Sequence, residues 1–309
     1  MTRTSRRGFT LIEIMIVVVL LGLVMGTLMT VIIRQQRFYR NASQIMDSRS
    51  QIRQAVTILP IDLRGISTVG GDILALTDSA VEIRATYGSS VICDKFAGDS
   101  MSFPPTGQLS AGSGNVLTSF LTSPAIGDTL FVYDTATAAL ATPWTIHRVT
   151  GVSTTTNALT CGVLSGYTAV GDAAKTKTVV RVSPVLSATE NRGSPVRFTR
   201  RVRYDIYQAA DSKWYLGYNQ YTNGAWAGLQ PVSGPYRAYT TDTLTSGLNL
   251  RYYQEDGTEV TSLGSATQVA RIRLWVRAQA GQGVSLYGRA NATTWQDYLN
   301  LTVAIRNRI

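Results

Sequence analysis

Few residues in this 309-residue chain could do chemistry, since it holds one histidine and two cysteines. Those counts exclude multi-histidine and four-cysteine metal sites. His147 stands in Trp144-Thr145-Ile146-His147-Arg148, an alternation that reads as a strand with the histidine exposed. Glu255 and Asp256 are adjacent and run into Gly257-Thr258, which reads as a solvated hairpin turn without EF-hand spacing, not as an acid and base poised across a cleft. Nucleophile-elbow, phosphate-loop, His-Glu-x-x-His and Cys-x-x-Cys patterns are all missing. The chain is therefore expected to be no enzyme, and no cofactor or metal is expected. Arginines are the stronger signal. Arg192, Arg197, Arg200, Arg201 and Arg203 put five cations into twelve residues beside Tyr204 and Tyr207, and Arg271, Arg273 and Arg277 line a second segment around Trp275. Phosphate contact needs such clusters with aromatics for stacking, so Arg197, Arg200, Arg201 and Arg203 are candidate polyanion contacts, with DNA as the candidate partner. The favoured reading of the same residues is a solvated sheet face or a contact with acidic subunit surfaces.

The formal charge of +10 invites that nucleic-acid reading until the charges are located. Three arginines lie in residues 1–8, and six in residues 34–66 oppose only Asp47 and Asp62. The 243 residues from 67 onward carry a net charge of only +4. A composition 44% hydrophobic and only 16% charged, rich in Gly, Ser and Thr, suits an ordered, β-leaning exported protein.

Two elements must position these groups. The first begins at the N-terminus, where the basic Met1–Gly8 segment precedes Phe9-Thr10-Leu11-Ile12-Glu13 and then twenty uncharged residues, Ile14 to Ile33. Twenty apolar residues match a hydrocarbon layer of about 30 Å at about 1.5 Å per helical residue. The run ends in Arg34-Gln35-Gln36-Arg37 without the small residues of a signal-peptidase site, so it reads as a retained membrane anchor. Glu13 is costly inside it, by about 2.5–3.5 kcal/mol at a bilayer centre and less near the end, so something must offset it. Downstream, Phe38, Ala42, Ile45, Arg49, Ile52, Val56, Leu59, Leu63 and Ile66 alternate spacings of four and three. That seam continues the helix to about residue 64, with Pro60 expected to kink or break it. The seam would pack on the chain's own head or, alternatively, on a parallel copy.

Arg6-Arg7-Gly8-Phe9-Thr10-Leu11-Ile12-Glu13, joined to the apolar run, resembles the class III leader of type IV prepilins and type II secretion pseudopilins. The resemblance covers the leader and the apolar helix. It implies cleavage after Gly8 by a prepilin peptidase/methyltransferase and N-methylation of Phe9. It also implies a salt bridge from Glu13 to the new amine, at Phe9 or on a neighbouring subunit, that sets filament register. Its partners would be the inner membrane and other pilin or pseudopilin subunits, with the head in the periplasm or outside. The proline common in the membrane helix of major pilins is missing. Ile61-Asp62-Leu63-Arg64 and a last strand ending near Arg306-Asn307 are similar to PilW-like minor pilins and J-type pseudopilins.

The expected fold is accordingly α+β and pilin-like: leader 1–8, membrane half-helix 9–33, amphipathic stem 34–66, and a large antiparallel β-rich head 67–309. Alternating strands are expected at Ala80–Tyr87, Thr129–Tyr133, Thr145–Val149, Val196–Tyr207, Leu248–Tyr253, Ala270–Arg277 and Leu299–Arg306. The stretch 88–178 reads as an elaboration whose topology the pattern does not give. Cys93 and Cys161 fall within it, and for a head outside the cytoplasm one disulfide is expected, two separate buried thiols being the alternative.

Overall fold

The structure, a computed structural model, describes residues 10–96, 98–106, 116–137, 143–284 and 293–305. Helix α1 (Leu11–Gly65) runs for 55 residues, about 80 Å at helical rise. It passes through Pro60 instead of ending there. Proline removes one backbone hydrogen bond from the ladder, but Leu59 and Leu63 on either side are fully buried against the head and hold both flanks in place. Of the four–three seam Ile52, Leu59, Leu63 and Ile66 are buried and Val56 is half-buried, with Ser48 and Ala55 buried beside them, whereas Phe38 projects into the open. From Ile52 onward the chain's own head therefore fills the seam that a second copy would have needed.

Sixteen strands follow among the described residues: β1 (Ile73–Leu76), β2 (Ala80–Val91), β3 (Asp94–Phe96), β4 (Ser100–Ser102), β5 (Ser119–Phe120), β6 (Thr129–Tyr133), β7 (Trp144–Thr155) and β8 (Lys177–Ser183). The second half adds β9 (Pro195–Gln208), β10 (Trp214–Thr222), β11 (Ala225–Trp226), β12 (Gln230–Tyr236), β13 (Leu248–Tyr253), β14 (Glu259–Val260), β15 (Arg271–Val284) and β16 (Thr293–Ala304). Every pairing is antiparallel, giving the order β14-β13-β15-β12-β10-β9-β6-β7-β8-β4-β3, with β16 beside β15 and β2 beside β9. The fold is α+β and pilin-like, one long N-terminal helix packed on a large antiparallel head. Each expected strand recurs, Thr129–Tyr133 and Leu248–Tyr253 with the same bounds and the others with shifted or extended ends; Arg306-Asn307 lies outside the described residues.

Two cores share the long pair β2–β9. The larger packs stem residues Ile52, Leu59, Leu63 and Ile66 against β1, β2, β9, β10, β12, β13, β15 and β16. In β15 the alternation works as the sequence implies: Ile272, Leu274 and Val276 are buried while Arg271, Arg273, Trp275 and Arg277 face outward. The smaller core, around Tyr87, Ile92, Met101, Phe103, Leu130, Val149, Val180 and Phe198, belongs largely to the 88–178 elaboration and takes in no residue of α1, with Tyr87, Val180 and Phe198 joining it from β2, β8 and β9. The first half of β9 pairs with β6 over this core, and its second half pairs with β10 over the larger one.

Candidate assembly helix and arginine strand

Glu13 heads the exposed half of α1. Thr10 caps the helix, and the Glu13 carboxylate reaches back to it, with Oε2 accepting from the Thr10 backbone N–H at 3.0 Å and from its hydroxyl at 3.1 Å. This reciprocal capping box satisfies donors that would otherwise be orphaned at the helix start. The Thr-x-x-Glu spacing was readable in the sequence and supplies a local offset for the carboxylate that the resemblance did not include. The box lies within residues 10–13, so it survives removal of residues 1–8, and Oε1 is left without a partner among the described residues. Gly8 and Phe9 lie outside the described residues.

From Leu11 to Ile33 every large apolar side chain is exposed, between 38% and 78%. In water such a surface would be strongly unfavourable at about 25 cal/mol per Å². The Thr27 and Thr30 hydroxyls bond back to the carbonyls of Val24 (2.8 Å) and Gly26 (2.9 Å), so both polar groups are satisfied within the helix itself. Nothing lies within 4 Å of the Cβ positions of Gly22 and Gly26, so the fold of this chain does not require them to be small.

The stem is tied to the head by directed contacts. Arg49, the one break in the seam, bonds Asp297 of β16 at 2.9 Å. Gln51 accepts from the Gly234 N–H at 2.9 Å, and the Tyr236 hydroxyl donates to the Gln51 carbonyl at 3.0 Å. Gly234 has φ +133°, and a Cβ there would stand 2.7 Å from the Tyr215 ring, so only glycine suits the close approach. Asp62 accepts from the Tyr204 hydroxyl at 2.7 Å. Burial pushes the Asp62 carboxyl above its usual range and the Tyr204 phenol far up, so the phenol stays a donor.

The arginines do not form the open cationic face their spacing suggests. Arg197 grips Asp72 with both carboxylate oxygens (3.1 and 2.9 Å) and lies 4.2 Å over the Phe131 ring. Arg200 points inward between Phe198 and Val202, holds Asp128 through two 2.8 Å bonds, and stacks over Tyr87 at 4.8 Å. Burial and the Asp128 carboxylate push the Tyr87 phenol far up, so it donates to Asp128 at 2.7 Å. As polyanion contacts Arg197 and Arg200 are thus corrected: Arg197, half-buried, and Arg200, buried, are structural partners of buried carboxylates. Arg201 pairs with Glu82 and stacks on Tyr221 and Trp226; Arg203 meets Asp205 at 3.3 Å; Arg192 meets Asp94. Of these last three Arg201 is half-buried, and Arg192 and Arg203 are exposed.

His147 also departs from expectation. It is 3% exposed, with Nε2 2.8 Å from Glu190 Oε1 and Nδ1 2.8 Å from the Pro184 carbonyl, while Trp144 and Ile146 face out. Burial would raise the Glu190 carboxyl, but bonds from Thr145, His147 and the Ser187 N–H outweigh it and hold it below its usual range. Cys93 and Cys161 form one disulfide, both fully buried, closing a separation of 68 residues. Among the described residues no group of three or more His, Cys, Asp or Glu side chains could hold a metal ion.

Residues 3–29 match the family described as the prokaryotic N-terminal methylation motif. No curated protein and no solved structure matches the chain. Motif, exposed apolar helix and fold together make this a type IV prepilin-like protein, of the kind processed by a prepilin peptidase and assembled with other pilins.

Proposed function

We propose that the chain is a minor subunit of a type IV pilus or a type II secretion pseudopilus, structural and not catalytic, that is incorporated into the filament or initiates it. It is cleaved after Gly8, methylated on Phe9, and held in the inner membrane until assembly, with its head on the far side. The observation that carries this is α1 itself: its first half is apolar and uncovered by any part of the chain, and begins at a capped carboxylate. A bilayer covers such a surface before assembly, and neighbouring helices can cover it afterwards. Glu13 then uses Oε2 for its own cap and offers Oε1 to the amine of a neighbour. A head of two cores favours a minor role, because a lattice repeated thousands of times is usually built on smaller heads, as the resemblance implies. The alternative, a tip module for DNA uptake or adhesion, is not favoured: Arg192, Arg201 and Arg203 already stand beside carboxylates, which leaves it chiefly the β15 arginines, of which Arg273 is exposed and stacked on Tyr253 and Trp275.

Co-expression with a prepilin peptidase tests the reading. The expected product has lost the mass of Met1–Gly8 and gained one methyl group on Phe9. An uncut chain, or one cut elsewhere, would refute it.

A further inference from the structure

The stem has a second face, opposite the seam that meets the head. Along it lie Tyr39 (64% exposed), Met46 (70%), Arg53, Thr57, Ile61 (67%) and Arg64. At 100° per residue these fall in one stripe, and Arg53 and Arg64, three turns apart, mark a line about 16 Å long within it. Neither guanidinium meets a carboxylate among the described residues. Exposed Tyr39 and Met46 leading into Arg53, and Ile61 between Arg53 and Arg64, give this stripe the composition of a contact surface, not of a solvated helix back.

Lipid headgroups do not account for it. Arg53 is twenty residues beyond the end of the apolar run at Ile33, about 30 Å along the helix. That distance is several screening lengths of about 8 Å at physiological salt. A second copy does not fit either. The stem's carboxylates are Asp47 and Asp62. Asp62 is turned to the head and bonded to Tyr204, and Asp47 lies about a third of the way round the helix from the arginine line. Parallel copies packed on this stripe would set arginine against arginine.

We infer that the stripe docks the stem helix of a different subunit, one that presents carboxylates three turns apart on its facing side, and that it rejects a second copy of this chain. The inference rests on the subunit reading above and gives that site its partner chemistry. Charge matching of this kind decides partner choice more than total affinity.

The test uses the full chain, peptidase-treated, in vesicles of neutral phospholipid, with Thr57→Cys as an oxidation reporter; the native cysteines are engaged with each other. The probe is the same reporter chain carrying Arg53→Glu and Arg64→Glu, distinguished by mass. Mixed vesicles should give about tenfold more unlike than like reporter dimers at ~50 mM salt, with the preference fading at ~0.5 M. Like dimers of the unreversed chain forming as readily as unlike dimers would overturn the inference, as would no dimer in any mixture. The N-terminal mass of the same sample separates the two claims. Charge-selective dimers from a chain that the peptidase cannot cut would support the stripe and count against the prepilin reading. A correctly cut chain with unselective dimers would do the reverse.

Discussion

Arg200→Met asks whether the arginine strand serves the fold or a polyanion. In the native head Arg200 neutralises Asp128, which is fully buried, through paired 2.8 Å bonds, and it also donates to the Ser123 carbonyl. The substitution keeps most of the apolar stem over Tyr87 but leaves Asp128 charged, with only the Tyr87 hydroxyl (2.7 Å) and the Ala125 N–H (2.8 Å) as partners. An uncompensated charge of this kind costs about 3–5 kcal/mol. For a head of this size about 2–4 °C is lost per kcal/mol, so Tm should fall by about 6–20 °C. The assay is thermal unfolding of the full chain in mild detergent, followed by near-ultraviolet circular dichroism. Adding Asp128→Asn to Arg200→Met should recover part of the loss, because removing both charges leaves no buried ion unpaired. A Tm within about 2 °C of the parent, or a double variant as unstable as the two single losses combined, would refute this account.

Replacing Cys93 and Cys161 by serine opens a 68-residue closure worth about 4 kcal/mol in the chain-entropy model, and the same assay should show a Tm drop matched by reducing the parent; insensitivity to reductant would contradict it. Asp62→Asn should stabilise the stem–head contact at neutral pH. Burial raises the folded carboxyl above its unfolded value, so the contribution of Asp62 is most favourable below about pH 4 and is lost as pH rises through the folded value. The gain over the parent should therefore be present at pH 7 and absent near pH 3. A destabilised variant at pH 7 would show that ionised Asp62 is a net contributor.

Much of the fold is legible from local pattern. The unbroken apolar run and four–three seam specify α1, and the alternation in β15 assigns its faces correctly, because each depends on neighbours in sequence. The arginine strand is not legible in that way. Asp72 is 125 residues from Arg197 and Asp128 is 72 from Arg200, so a cluster dense in cations by sequence is neutralised by carboxylates that only the sheet brings near. His147 fails for the same reason. Its strand turns Trp144 and Ile146 outward so that Thr145 and His147 can enclose Glu190, 43 residues away. The 88–178 topology is not legible because β3, β4 and β5 are only two or three residues long and its core is completed by β2 and β9, which belong equally to the larger core. The capping box is legible too, because Thr10 and Glu13 carry its Thr-x-x-Glu spacing within four residues.

The central claim is that Glu13 works as a charge between subunits, and the capping box makes alanine a poor probe of it. Glutamine keeps an oxygen that can accept from Thr10, as in the glutamine form of the box, and removes only the charge. The measurement is the amount of Glu13→Gln chain in sheared filaments relative to the membrane fraction, in the host that expresses it. The account predicts membrane levels equal to the parent with incorporation into filaments abolished. Parental incorporation of the glutamine variant, or a parent chain that never leaves the membrane, would contradict it.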